Sequence, residues 1–238
     1  MPYDWLLFDA DGTLFDYDAA EGLALRSCAQ LHGLAWSDAW LADYRRINAA
    51  AWHELEQGKL SPHRLRTIRF ERWFEHLSVD ADPQRFSDSY LEALSQQTLL
   101  IDNAATIIEA LAPSHRMAII TNGLACVQRP RLAASPLAAH FPILIISEEV
   151  GSAKPERAIF DAAFELMGQP DPRRVLIIGD SLSSDIAGGH HYGIDTCWFN
   201  PLGISPGSIQ PTHTIASLAE LHPVVQSRTP GTRVPSDR

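Results

Sequence analysis

Five short apolar runs, separated by helical patterns, constrain the fold of this chain more than any other feature. They span residues 5–8, 117–120, 143–146, 175–178 and 194–199. Continuous apolar runs that alternate with helices are typical of parallel strands covered on both faces of a sheet. The sequence therefore predicts an α/β fold with a doubly wound parallel sheet.

Residues 16–97 form a different kind of region, because they contain helical patterns and no strand candidate. Helix-starting signals stand at Ser37, at Ser61-Pro62 and at Asp82-Pro83, each ahead of an amphipathic segment. Tyr44 and Tyr90 fall on the apolar faces, and four of the six tryptophans lie in this region, where helix–helix packing is expected. An all-helical block between the first and second strands indicates a cap, residues 16–97, inserted into a discontinuous core of residues 1–15 and 98–226.

Two further expectations concern the remaining segments. In the core, Asp102-Asn103 and Pro155 are predicted to open helices, with Pro155 as the first helical residue. The end of the chain, residues 227–238, is rich in Pro, Ser, Thr and Arg, which predicts a disordered tail.

Composition excludes several classes of function. The chain has 19 Lys and Arg against 29 Asp and Glu, a net charge of −10, without a basic block. Such a chain is not expected to bind a nucleic acid polymer or an anionic membrane, but local positive charge suffices for a small phosphorylated ligand. The apolar runs are far shorter than a membrane span, and the N-terminus lacks the pattern of a signal peptide. Three widely spaced cysteines without metal-binding spacing favour a cytoplasmic location.

Polar residues follow four of the predicted strands, at the carboxyl ends where open α/β sheets bind their ligands. They are Asp9, Asp11 and Gly12 after the first strand, Thr121, Asn122 and Gly123 after the second, Lys154 beyond the third, and Asp180 and Asp185 after the fourth. Each motif alone is common in turns and helix caps. Their occurrence in order, each beyond a strand, predicts a single site.

The predicted site gathers carboxylates, which repel one another unless a cation compensates them. Oxygen ligands without His or Cys favour Mg²⁺ over zinc. The negative charges of Asp9, Asp180 and Asp185 are balanced by Mg²⁺ and Lys154 if Asp11 is protonated. The sequence therefore predicts a magnesium site that accepts a phosphate group.

The positions suggest roles in phosphoryl transfer. Asp9 directly ends a strand and is the predicted nucleophile, and Asp11 is the predicted general acid and later general base. Thr121 and Lys154, with the backbone amides of Asn122 and Gly123, are expected to hold phosphate oxygens. For Asp185 two roles stay open, because it could hold metal-bound water or orient Lys154.

These residues resemble the four motifs of the haloacid dehalogenase-like phosphatase superfamily. The motifs are Asp9-x-Asp11-Gly12-Thr13, Thr121-Asn122-Gly123, Lys154-Pro155 and Gly179-Asp180-x-x-x-x-Asp185. The resemblance implies a Rossmann-like core with a C1-type cap and an aspartyl phosphate on Asp9. It also implies Mg²⁺ held by Asp9, Asp180 and the backbone carbonyl of Asp11.

A closer resemblance, over about residues 3–222, is to the bacterial house-cleaning pyrimidine 5′-nucleotidases. It is carried by stretches around residues 4–15, 119–123, 146–151 and 196–198 together with Lys154-Pro155. It implies dUMP-, UMP- or dTMP-like substrates. Separately, a monomer or homodimer is expected. Pro130 departs from the pattern, because it falls where the helix after Gly123 is expected and could delay or bend it.

Other activities remain as alternatives. Phosphatases for phosphoglycolate or sugar phosphates share all four motifs, and a 2-haloacid dehalogenase shares the fold and the nucleophile, although Asp11 favours phosphatase chemistry. The G-x-S-x-G match at residues 203–207 is disfavoured for a serine hydrolase, because Pro206 lacks the amide that the oxyanion hole needs. A receiver-like binding domain would also gather acidic residues around Mg²⁺, but an inserted lid suits catalysis.

Overall fold

A computed structural model describes residues 3–226 of the chain, so the predicted disordered tail lies outside the described residues. The described part contains a six-stranded sheet with strand order β3-β2-β1-β4-β5-β6, and every neighbouring pair is parallel. The strands are β1 (Trp5–Phe8), β2 (Arg116–Thr121), β3 (Ile143–Ile146), β4 (Val175–Gly179), β5 (Asp195–Phe199) and β6 (His213–Ile215). The prediction of a doubly wound α/β fold is confirmed.

Helices connect these strands and fill the segment between β1 and β2. They are α1 (Tyr17–Leu31), α2 (Asp38–Glu56), α3 (Pro62–Leu77), α4 (Pro83–Ser95), α5 (Ala104–Leu111), α6 (Ala125–Ala134), α7 (Ser147–Val150), α8 (Arg157–Leu166), α9 (Ala187–Tyr192) and α10 (Leu221–Gln226). A π-helical turn, Leu182–Ile186, precedes α9. None of the helices within residues 3–226 combines the length and apolar character needed to cross a bilayer.

The register of the central strands brings their carboxyl ends to one level. Phe8, the last residue of β1, pairs with Ile119 of β2 and Ile178 of β4. Asp9 and Gly179 therefore leave the sheet side by side, close to the end of β2. This alignment places the residues that follow three separate strands at the same edge.

The chain divides into two compact units, one built on the sheet and one made of helices. Among the described residues, the sheet unit comprises residues 3–15, 100–121 and 136–226, and the helical unit comprises residues 16–99 and 122–135. The helical unit therefore includes α6, which the sequence analysis assigned to the core. The physical reason is packing, because Leu124 and Val127 join the apolar cluster of α1–α4 and the Arg131 side chain donates to the Leu94 carbonyl at 3.4 Å. Pro130 lies inside α6.

The helical unit is held together by aromatic side chains. Trp73 is fully buried and contacts the rings of Tyr44, Phe70 and Phe86 at centroid distances of 5.3–6.3 Å. Burial of several large aromatic rings is a strong contribution to the stability of this helical unit. The packing role expected for the aromatic residues is confirmed for Trp73.

Two sequence expectations need correction. Helix α8 begins at Arg157, so Pro155 is not the first helical residue. A turn precedes the helix instead, closed by the Glu156 amide donating to the Ala153 carbonyl at 2.8 Å, and the Lys154–Pro155 peptide bond in it is cis. Strand β6 was not predicted, because it is only three residues long and only Ile215 of the three is buried.

Candidate active site

The first loop of the site leaves β1 at Asp9. The Asp9 amide donates to the Ile178 carbonyl at 2.9 Å, which continues the pairing of β1 with β4 by one residue. Gly12 follows with φ +82°, and a Cβ on it would lie 2.6 Å from Asp180 Oδ2. Glycine is therefore required here both for the backbone conformation and for the close approach of Asp180.

Lys154 links three parts of the sheet edge. Its Nζ donates to Asp9 Oδ1 at 2.5 Å, to Asp185 Oδ1 at 2.6 Å and to the Ile120 carbonyl at 2.8 Å. An ammonium group has three protons to donate, so it can make these three contacts at the same time. The side chain is buried, which fixes the ammonium beside the Asp9 carboxylate.

Lys154 stays charged in this environment. Burial by itself would lower its pKa, but the carboxylates of Asp185 and Asp9 outweigh burial and raise the pKa above its usual value. Lys154 thus supplies a permanent positive charge next to Asp9 at any physiological pH.

Asp185, the second carboxylate paired with Lys154, is fully buried. Its Oδ1 accepts from Lys154, and its Oδ2 accepts from the Ser181 amide at 3.0 Å. A Cβ on Gly179 would lie 2.2 Å from the Asp185 carboxyl carbon, so only glycine permits this packing. Of the two roles that the sequence left open for Asp185, orientation of Lys154 is the one that its hydrogen bonds favour.

Three carboxylates at this edge could hold a metal ion. Asp9, Asp180 and Asp185 each offer an oxygen, and these oxygens lie within 4.8 Å of one another. With Lys154 present, the cluster carries a formal charge of −2, which a divalent cation would neutralise. Oxygen-only ligands suit Mg²⁺, so the residues present fit the ion that the sequence predicts.

The pKa values of Asp9 and Asp180 in this cluster are raised, as expected for buried and crowded negative charges. Burial raises the pKa of Asp9 well above its usual value, against the opposing effect of Lys154. Asp180 keeps solvent exposure, yet the protein atoms around its carboxyl and the charge of Asp185 raise its pKa to about 6. A cation bound at these oxygens would relieve both shifts, since it favours the charged carboxylates.

Comparison with known proteins agrees with this arrangement. A family model described as haloacid dehalogenase-like hydrolase matches residues 3–193. The chain belongs to this hydrolase family. The resemblance inferred from the four motifs is thereby confirmed.

Relatives of the hydrolase share most of its length. It is 38% identical to the pyrimidine 5′-nucleotidase YjjG of Escherichia coli over 93% of this chain and 97% of that protein. It is 34% identical to the pyrimidine 5′-nucleotidase PynA of Streptococcus pneumoniae over 93% and 94% of the two chains. A crystal structure of the HAD-hydrolase YfnB of Bacillus subtilis bound to magnesium matches with a TM-score of 0.89 and 35% identity, covering 95% of this chain and 100% of that one.

The remaining predicted site residues of the hydrolase are placed as follows. Asp11 lies two residues beyond Asp9 and is half-buried. Thr121 is buried at the end of β2, next to the Ile120 carbonyl that accepts from Lys154. Asn122 and Gly123 follow Thr121 directly but belong to the helical unit.

Two site residues of the hydrolase had no role assigned from the sequence. Thr13 is fully buried, and its Oγ1 lies 3.4 Å from both Asp9 Oδ2 and Asp180 Oδ1. Trp198 pairs with Gly179 in the sheet register, and its Nε1 donates to the Asp180 carbonyl at 2.8 Å. The motif around Asp9 already contained Thr13, whereas the role of Trp198 depends on the pairing of β4 with β5, for which the sequence carries no local signal.

Proposed function

We propose that this hydrolase is a Mg²⁺-dependent phosphomonoesterase that acts on nucleoside 5′-monophosphates, with pyrimidine nucleotides preferred. The observation that carries the proposal is the position of Asp9, a strand-end carboxylate fixed by Lys154 within a cluster of metal-binding oxygens. A nucleophile, a permanent cation and a divalent ion at one edge are the groups that phosphoryl transfer requires.

Asp9 is the nucleophile in this proposal. Its Oδ1 accepts from Lys154. Its Oδ2, which Thr13 contacts at the long distance of 3.4 Å, is the oxygen that attacks phosphorus. As the Oδ2–P bond forms, the ester P–O bond breaks and the electron pair passes to the leaving oxygen. The product of this step is an aspartyl phosphate on Asp9 and a nucleoside alkoxide that must be protonated.

Asp11 acts as the general acid and then as the general base. It donates a proton to the leaving oxygen in the first step and accepts one from water in the second. That water attacks phosphorus, the Asp9–phosphate bond breaks, and inorganic phosphate and the free Asp9 carboxylate result. Its place two residues beyond Asp9, where its side chain is only half-buried, suits a group that must exchange protons with solvent.

The charged phosphate oxygens need compensation through both steps. Lys154 supplies one positive charge, and Thr121 with the backbone amides of Asn122 and Gly123 supplies hydrogen-bond donors. Mg²⁺, held by Asp9, Asp180 and the Asp11 carbonyl, would supply the remaining positive charge when bound. Asp185 keeps Lys154 in position rather than contacting the substrate.

The choice of a pyrimidine nucleotide is supported by the relatives. YjjG and PynA are both described as pyrimidine 5′-nucleotidases, and each aligns with nearly the whole of this chain. The magnesium in the YfnB crystal structure supports the choice of metal. A monomer or homodimer in the cytoplasm remains our prediction.

Substrate profiling with and without the metal tests the proposal. We expect turnover of dUMP, UMP and dTMP with Mg²⁺ at least tenfold faster than turnover of phosphoglycolate or ribose 5-phosphate, and loss of turnover in EDTA that added Mg²⁺ restores. Phosphate release measured in EDTA at the full rate, or release of halide from 2-chloropropionate in place of phosphatase activity, would rule the proposal out.

A further inference from the structure

The three carboxylates that could hold Mg²⁺ are not restrained equally in the sheet unit. Asp9 is 7% exposed and Asp185 is fully buried, and both accept short hydrogen bonds from Lys154, at 2.5 Å and 2.6 Å. Asp180, in contrast, is exposed to solvent. An exposed side chain on a loop loses conformational freedom when it binds a ligand, and this loss lowers affinity. The position of Asp180 therefore depends on whatever else restrains it.

The Thr13 hydroxyl is a weak restraint on the Asp180 side chain. Its Oγ1 lies 3.4 Å from Asp180 Oδ1 and also 3.4 Å from Asp9 Oδ2. A hydroxyl has one proton, so it donates to one of these oxygens at a time, and 3.4 Å is long for a hydrogen bond between two oxygens. The contact from Thr13 therefore leaves the Asp180 carboxylate only loosely held.

A stronger restraint acts on the backbone of Asp180. The pairing of β4 with β5 runs from Leu176 and Asp195 to Gly179 and Trp198, so Asp180 is the first residue beyond the paired strands. At this point the Trp198 indole takes the place of a backbone partner, because its Nε1 donates to the Asp180 carbonyl at 2.8 Å. The side chain of one strand thus extends the connection between β4 and β5 to the residue that carries the exposed carboxylate.

The donor itself and the loop beyond it are both fixed. Trp198 is 1% exposed, so its ring is held by the core of the sheet unit. Beyond Asp180, the Ser181 amide donates to Asp185 Oδ2 at 3.0 Å and the Ser184 amide donates to Ser181 Oγ at 3.2 Å. A buried indole N–H usually finds an acceptor, so the bond from Trp198 also satisfies its own donor. A test of its role at Asp180 has to separate these two effects.

We propose that Trp198 is a positioning residue that sets the affinity of the sheet unit for Mg²⁺ by fixing the backbone of Asp180. This inference rests on the proposed function, because it takes Asp180 to be a ligand of the ion. Trp198 acts through Asp180 and has no contact of its own with the ion or the reacting atoms in this proposal. Residues that orient metal ligands by hydrogen bonds commonly change metal affinity by about ten- to a hundredfold.

The test measures Mg²⁺ binding to Trp198→Phe, which removes the N–H and keeps an aromatic ring. Calorimetric titration with Mg²⁺ in the absence of substrate should show a Kd about tenfold above that of the wild type. The Mg²⁺ concentration for half-maximal hydrolysis of UMP should rise by the same factor. The kcat at saturating Mg²⁺ should stay near the wild-type value, because Asp9, Asp11 and Lys154 are unchanged.

Two further variants separate positioning from a general loss of packing. Trp5→Phe is the matched control, because Trp5 is 6% exposed and begins β1, at the opposite end of that strand from Asp9. It loses the same ring volume and should keep the wild-type Kd for Mg²⁺, even where its melting temperature in EDTA falls as far as that of Trp198→Phe. Replacement of Trp198 by β-(3-benzothienyl)alanine changes the N–H to sulfur in a ring of the same shape, and decides the question if Trp198→Phe does not fold.

The outcomes distinguish this inference from the proposed function. Weaker Mg²⁺ binding in a folded Trp198 variant, with wild-type binding in Trp5→Phe, supports it. If the wild type binds Mg²⁺ and hydrolyses UMP while the folded Trp198 variants bind Mg²⁺ equally well, the role of Trp198 is overturned and the proposed function stands. An equal loss of affinity in Trp5→Phe also overturns it, since packing alone then explains the change. A wild-type enzyme that binds no Mg²⁺ and is fully active in EDTA overturns both.

Discussion

The two units place their polar residues by different physical rules. In the sheet unit, Asp9, Lys154 and Asp185 meet because parallel strands end at a common edge, and their hydrogen bonds are complete. In the helical unit, Glu21 and Asn48 are buried between amphipathic helices, and their side chains hydrogen-bond to each other at 3.3 Å. The sheet edge therefore presents carboxylates that a small cation could bind, whereas these polar groups of the helical unit pair with each other.

The largest expected loss of activity follows from a substitution of the proposed nucleophile in the sheet unit. Asp9→Asn removes the attacking oxygen, so we expect kcat to fall by at least about 10⁴-fold, while circular dichroism and melting temperature show a folded protein. Asp4→Asn is the matched control, since Asp4 directly precedes the same strand, is exposed and pairs with Arg174. Residual activity within tenfold of wild type in Asp9→Asn would mean that another group attacks phosphorus.

The next largest loss of activity is expected for Lys154, whose ammonium group fixes the Asp9 carboxylate. Lys154→Ala removes the charge beside Asp9 and the donor to Ile120, so we expect kcat/KM to fall by about 10²–10³-fold, as for the loss of an oxyanion donor. Lys59→Ala changes the chain's other lysine, which is exposed, and should retain full activity. Equal rates for the two variants would exclude Lys154 from the site.

The same comparison explains which parts of the fold the sequence could predict. Strands β1 and β3 have the predicted bounds, and β2, β4 and β5 differ from them by one residue at one or both ends, because a strand covered on both faces is a continuous apolar run. Strand β6 escaped prediction because it lies at the sheet edge, where one buried residue suffices. The assignment of α6 to the helical unit depends on its tertiary packing, which periodicity does not reveal.

The candidate sites divide in the same way. Asp9, Lys154, Asp180 and Asp185 could be predicted because each follows a recognisable strand or a motif of known spacing. Tyr44 and Tyr90 were interpreted as parts of apolar faces, since their rings fit the helical period. Both are fully buried, as that interpretation requires, but the partners of their hydroxyls depend on which side chains of other helices lie nearby. A helical period locates a buried face without showing whether polar atoms on it find partners.

The smallest expected effect is a change in Mg²⁺ affinity with pH, which tests whether the sheet unit needs a cation. The pKa of Asp180 is raised to about 6 from 3.8 in the absence of metal, so below pH 6 a proton occupies the carboxyl that Mg²⁺ needs. The Mg²⁺ concentration for half-maximal activity should therefore be constant above pH 6 and should rise by up to about tenfold for each unit below it. Calorimetric titration with Mg²⁺ between pH 5 and 8 measures the same dependence without turnover. Asp171→Asn is the control, because hydrogen bonds from Arg173 lower the pKa of Asp171 to about 2, far from this range. If Mg²⁺ affinity stayed constant down to pH 5, Asp180 would not be a ligand that protons and the metal share.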